Sequence, residues 1–269
     1  MWTGVFLFGH GREFFSLFER ILFSIYVHSF SKYFSPFTFK YGKELTRSVC
    51  GSIKKVALAI MKAMTDKEAT VPLKVDALVS ALDVLQGCCL LHYPSKGLIG
   101  IDTRAIKLML SRLDTFCRMY GGKLSEKKNL STLVALPSTR VPVNKRASSL
   151  VDTAATDPAV IIACLDCLLA ILVDHDLCQV EFRQQYGIAF LVDVINATAA
   201  PKEVRAKASE MLLFLVRYFT ESKDDHQQQV NTYLGEKLFK ALTDSATSTS
   251  KGADKFDAFL KQVDSAQHS

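Results

Sequence analysis

This sequence lacks the common signatures of an enzyme. It has no Gly-rich phosphate loop followed by Lys and Ser or Thr, and no His-Glu-x-x-His zinc pair. It has no Gly-x-Ser-x-Gly nucleophile elbow. No Cys is followed, after five intervening residues, by the Arg that a phosphatase loop needs. Cys164-x-x-Cys167 has metal-like spacing, but it lies within an apolar helical run and has no second pair, so packing is its expected role. The chain is read as no enzyme, with no metal and no cofactor. Strong charge of one sign is also missing. The formal charge of +6 comes from 33 basic and 27 acidic residues, far from the dense basic stripe of a nucleic-acid binder, so no nucleic-acid partner is expected. The seven Cys are odd in number and form no disulfide framework; a reducing, cytoplasmic compartment is expected. A clean signal peptide is absent. In the aromatic first forty residues the longest charge-free run after Arg20 is Ile21 to Ser31. A membrane span needs about 20 residues, so no integral membrane association is expected.

What the chain does have is helical periodicity, centred on residues 75–93. Leu78, Leu82, Leu85 and Cys89 recur at helical spacing, and Val75, Val79 and Leu90 widen the stripe beyond what a surface helix needs. This helix is expected to be buried and to end before Pro94, whose ring blocks continuation. Asp83 is its one central acid, read as a solvent-edge residue. Eighty-three residues later, Cys164-Leu165-Asp166 echoes Ala81-Leu82-Asp83. In the same register Leu85 meets Leu168, His92 meets His175, Ile99 meets Phe182 and Leu108 meets Leu191. A helical unit recurring at fixed spacing implies an all-α, armadillo/HEAT-like helical repeat solenoid. The offset would fit two repeats of about 40–47 residues each. His92 and His175 fall at equivalent helix ends, where an imidazolium could bond free carbonyls.

Five segments follow. Residues 1–42 are aromatic-rich, with ten of the eighteen Phe in the first forty positions; they fit either an amphipathic helix docked on the body or a misassigned gene start or retained intron. Residues 43–121 form a first helical unit: a helix over 43–64, the central helix, a short turn over 95–100, and a helix over 102–118 capped by Asp102 or Thr103. Residues 122–157 read as a basic, mobile insertion, with six Lys or Arg (Lys123, Lys127, Lys128, Arg140, Lys145, Arg146) against Glu126 alone between Lys123 and Ser149. Residues 158–242 form the second unit, opened by Asp157 as N-cap and Pro158 in the first turn. Its helices are expected over 158–173, 177–184, 188–195, 201–219 and 229–242, with Gly187 as a break. Residues 243–269 are a Ser/Thr-rich tail. Within it Phe256, Phe259, Leu260 and Val263 make a last amphipathic turn, either a docking peptide or a frayed end.

The helix over 201–219 carries two stripes. Val204, Ala208, Met211, Leu212, Leu215, Val216 and Phe219 face in. Lys207, Glu210, Phe214 and Arg217 form a second, polar stripe with one exposed aromatic. In armadillo-like stacks the third helix of each unit lines the concave surface, so this stripe is the candidate partner-binding face; an ordinary solvated face is the other reading.

Leu78 through Gly87, then Leu90-Leu91-His92 and Pro94-Ser95, resemble the signature of the fungal cell division control protein 14 family, which is unrelated to the phosphatase of similar name. The second half agrees: the apolar helix through Leu172, then Phe182, Gly187, Leu191, Glu203-Val204, Leu212 and Phe214-Leu215. Arg12-Glu13-Phe14-Phe15 resembles a motif near the family's N-terminus. The resemblance covers about residues 75–220 well and 226–244 weakly; residues 20–40 depart from it, and the basic insertion is longer. It implies a non-catalytic scaffold or regulatory partner of a germinal-centre-type protein kinase. The pathway implied is the septation initiation network, which controls cytokinesis and septum formation, with localisation in the cytoplasm and at the spindle pole body. The alternative is an armadillo-like adaptor for another protein or a membrane surface, without a kinase.

Overall fold

A computed structural model describes residues 38–65, 74–120, 156–218, 223–245 and 256–267. Residues 1–37 and 121–155, which hold the aromatic segment and almost all of the basic insertion, lie outside them. The described residues are helical, with no strand among them. In order they form α1 (Thr38–Thr65), α2 (Val75–Leu91), α3 (Pro94–Gly97), a π-helical turn (Leu98–Asp102), α4 (Ala105–Met119) and α5 (Pro158–Leu172). Then come α6 (Asp176–Gln184), α7 (Gly187–Asn196), α8 (Lys202–Tyr218), α9 (Lys223–Leu234), α10 (Glu236–Ser245) and α11 (Asp257–Gln267).

Among the described residues the helix pair α2–α5 makes the most extensive contact. Leu78, Leu82, Leu85, Cys88 and Cys89 of α2 are buried. α5 buries Val160, Ile161, Cys164, Leu165, Cys167, Leu168, Ile171 and Leu172. Its apolar surface runs nearly all round because it packs on α2, α4, α6 and α8 at once. Two rows result: α2, α5 and α8 side by side, and α4, α7 and α9 side by side. α1 covers the α2 and α4 end. Asp157 caps α5 by accepting from Ala159 N at 2.9 Å, with Pro158 in the first turn, as its sequence predicts.

The 83-residue echo is visible in the backbone. His92 and His175, at the two breaks, have φ/ψ of −137°/95° and −138°/91°. Arg104 and Tyr186, just before α4 and α7, have 58°/29° and 59°/31°; they lie 82 residues apart, so the 83-residue register slips by one between the break and these helices. Two non-Gly residues thus take the left-handed region immediately before a helix, where most residues avoid it. The offset does not span two steps, however. α2 and α5 are direct neighbours, and between them the described residues hold one set of helices, α3 to α4, the counterpart of α6 and α7. α5 and α8, also neighbours, start 44 residues apart, at Pro158 and Lys202; most of the excess in the first interval is the length of residues 121–155.

Several local expectations are corrected. Residues 95–100 are helical, not a turn: Gly100 lies where a Cβ would meet Ile171 Cγ2 at 2.8 Å and Cys178 Sγ at 2.9 Å, so glycine there permits close helix approach rather than loosening the chain. Neither Asp102 nor Thr103 caps α4; Arg104 occupies that position, and Thr103 Oγ1 donates back to Ile99 O at 2.6 Å. The single helix expected over 229–242 is two, broken at Gly235, whose φ of +79° a helix cannot continue. The end of the chain is docked: Phe256, Phe259, Leu260 and Val263 are buried. Arg205, itself buried, holds α11 through Asp264 Oδ1 at 2.5 Å and anchors on Ile195 O at 2.8 Å, and Lys202 pairs with Asp257 at 2.6 Å.

Candidate interaction face

α8 turns Val204, Ala208, Met211, Leu212, Leu215 and Val216 into the core. That leaves Lys207, Glu210, Phe214 and Arg217 along its other side, at helical spacing. The structure separates their roles. Lys207 is half-buried and reaches across to α5, with Nζ 2.6 Å from Asp166 Oδ1 and 2.8 Å from Glu210 Oε2. Burial alone would lower its pKa, but the bonds to Asp166 and then Glu210 raise it above the usual ammonium value. Phe214 is half-buried and rests partly on the core, so it is not the exposed aromatic that the periodicity suggests. Arg217 is exposed.

Two further residues belong to this face. Asp166 supplies the α5 end of the Lys207 bridge. Asp83, on α2, senses Asp166: burial and then the Asp166 charge raise its carboxyl above the ordinary aspartate value. Three neighbouring helices thus line up Asp83, Asp166 and the Lys207–Glu210 pair. Lys207 bridges only two of the three carboxylates, and Asp83 has no cation partner among the described residues. The signal for Asp83 and Asp166 was the echo itself: the matched positions lie on the two helices that pack most extensively among the described residues, and the charge of one bears on the other.

The residues with chemical potential elsewhere are structural. Ser95 Oγ lies 2.7 Å from His92 Nδ1, a distance suited to an activated nucleophile, and both residues are buried, at 0% and 3% exposure. The pair clamps the start of α3. In the second copy His175 Nδ1 accepts from Cys178 N, again three residues on. Whereas His92 reaches the Ser95 side chain and the helix after it starts at Tyr93 without a side-chain cap bond, His175 caps the helix that follows, rather than binding the carbonyls of the one before. His175 must have a bare Nδ1 to do so, consistent with a pKa lowered first by burial, and also by Lys96. Lys96 Nζ donates to Val173 O at 2.5 Å and ties the two breaks together. Six of the seven cysteines are buried packing, Cys50 being half-buried: desolvation pushes Cys88 up to about 11, and Cys164 and Cys178 up to about 12, so the thiol form prevails and a nucleophilic thiolate is disfavoured. Among the described residues no group of three or more His, Cys, Asp or Glu could hold a metal ion, and no helix is long and apolar enough to cross a membrane. No family model, no curated protein and no solved structure matches the chain.

Proposed function

We propose that this protein is a non-catalytic scaffold of the fungal cell division control protein 14 kind, built as an armadillo/HEAT-like solenoid. It binds a germinal-centre-type protein kinase in the septation initiation network, in the cytoplasm and at the spindle pole body. The observation that carries the reading is the extensive packing of α2 on α5. It sets Asp83 beside Asp166 and continues through Lys207 and Glu210 onto α8. A rigid row of helices with matched outward positions offers a broad face for a partner domain. The signature Leu78 to Gly87 lies on α2, the first helix of that row.

On this reading the Lys207 bridge keeps the face flat and in register, Phe214 contributes apolar area at its centre, and Arg217 is the accessible cation that meets the partner. Phe214→Ala combined with Arg217→Glu should weaken co-purification of the kinase at least tenfold while leaving the helical content unchanged by circular dichroism. Undiminished kinase recovery with the double variant would place the interface elsewhere.

A further inference from the structure

α11 sits on the molecule as a docked peptide does. Residues 246–255 separate it from α10, and it rests on α7, α8 and α10. It has 11 residues, and isolated helices shorter than about 12–15 residues are marginal in water. Its helical form is therefore supplied by the groove that holds it. Phe259, Leu260 and Val263 are buried there. Its two acids, Asp257 and Asp264, meet two cations of α8. Lys202 Nζ lies 2.6 Å from Asp257 Oδ1. Arg205 grips both oxygens of Asp264, Nη2 to Oδ1 at 2.5 Å and Nη1 to Oδ2 at 3.4 Å. Gln267 Nε2 donates to Asn196 O at 2.9 Å, at the end of α7.

The cations belong to the body. Both stand in the first turn of α8, the end of a helix where the dipole favours anions rather than cations. Arg205 is 5% exposed, and its Nε donates to Ile195 O at 2.8 Å, which leaves the Nη edge for Asp264. A buried guanidinium without a carboxylate is costly, so this position calls for an acid from whichever helix lies over it. The pattern that satisfies the groove is short: an acid, apolar residues two, three and six positions on, and a second acid at seven. The acids of α11 lie at the rim, with Asp257 38% and Asp264 41% exposed, and rim pairs open to water hold weakly. A second copy's α11 has the same chemistry, but it competes with a tethered one whose effective concentration is about millimolar. Only a helix that fits better than α11 displaces it.

We infer that the groove over α7, α8 and α10 is a receptor for an acidic amphipathic helix of a partner protein, with α11 as its cis occupant. The test uses the full-length chain, as parent and with Asp257→Lys and Asp264→Lys together, which set like charges against Lys202 and Arg205. The probe is a labelled synthetic peptide of residues 254–269 carrying Lys261→Arg, an exposed position, to set its mass apart. Fluorescence anisotropy should show the variant binding the probe at least tenfold tighter than the parent, and a probe that also carries Asp264→Lys binding at least tenfold more weakly. In the parent, saturating probe should lower hydrogen-exchange protection of residues 256–267. Equal binding to parent and variant, or no binding to a variant that keeps its helical circular dichroism, would overturn the inference. So would loss of cooperative unfolding in the variant, which would make α11 part of the core, or probe binding that leaves the protection of residues 256–267 unchanged.

Discussion

Gly187→Ala is expected to destabilise the protein even though it replaces glycine by the best helix former. A Cβ at position 187 would sit 2.3 Å from Cε2 and Cζ of Phe182, and side chains do not approach below about 3.0 Å. Phe182 is 0% exposed and cannot swing away. The clash therefore forces a shift in the core, costing about 1–3 kcal/mol, as overpacking does. Gly187 is the first residue of α7, so the propensity gain is smaller than the roughly 1 kcal/mol of a helix interior. At roughly 2–4 °C per kcal/mol for a chain of this size, the melting temperature should fall by several degrees. The large ring of Phe182 occupies the space that a Cβ at 187 would take, so ring and missing methyl are matched. The double variant Phe182→Ile with Gly187→Ala shrinks the ring side chain as it adds the methyl and should be about 1–2 kcal/mol more stable than the sum of the singles predicts. Gly87→Ala serves as the control. It lies mid-helix with nothing within 4 Å of the added Cβ, and should stabilise by about 0.5–1 kcal/mol. Equilibrium urea unfolding of the four variants reads all of this. Additivity of Phe182→Ile and Gly187→Ala within about 0.5 kcal/mol would refute the claim that ring and missing methyl compensate.

Other expectations follow from the same geometry. The His175 pKa is lowered in the fold, so the unfolded chain binds more protons in the window below the ordinary value of 6.5; stability is full above that value and declines as pH falls through the window. His175→Asn keeps a capping acceptor without the titration, and its loss of melting temperature between pH 7.5 and 5.5 should be smaller than that of the parent. Asp264→Ala leaves the buried Arg205 with Ile195 O alone and should cost about 1–3 kcal/mol, read as lost hydrogen-exchange protection in residues 256–267. Asp83→Asn removes a carboxylate held beside Asp166 and should leave stability within about 0.5 kcal/mol or raise it, by thermal melting; a larger loss would mean that Asp83 has a structural bond.

Much of the fold was legible because helical burial writes a period into the sequence. The α2 stripe, the Asp157-Pro158 start of α5 and the inward face of α8 could be read directly, since each depends on neighbours within a turn or two. What could not be read depends on contacts between distant segments. Gly100 and Gly187 look like breakers from their neighbours alone, but their role is set by Ile171, Cys178 and Phe182 pressing against them. Gly235 is the reverse case, a real break inside an unbroken apolar pattern, because Leu234, Leu238 and Leu242 keep their spacing across it. Arg104 and Tyr186 carry no signature of a left-handed residue. The echo revealed which positions correspond, but not that corresponding helices touch, so Asp166 did not emerge as the partner of Lys207. The docking of α11 rests on Arg205 and Asp264, a pair 59 residues apart that no local pattern links.

The measurement that bears most directly on the proposed role is affinity purification of the tagged full-length protein from dividing cells, with mass spectrometry of what accompanies it. The account predicts a germinal-centre-type kinase recovered near one-to-one, and lost when Phe214→Ala and Arg217→Glu are combined. Absence of that kinase, in cells that contain it, would contradict the account and leave a helical adaptor with a different partner.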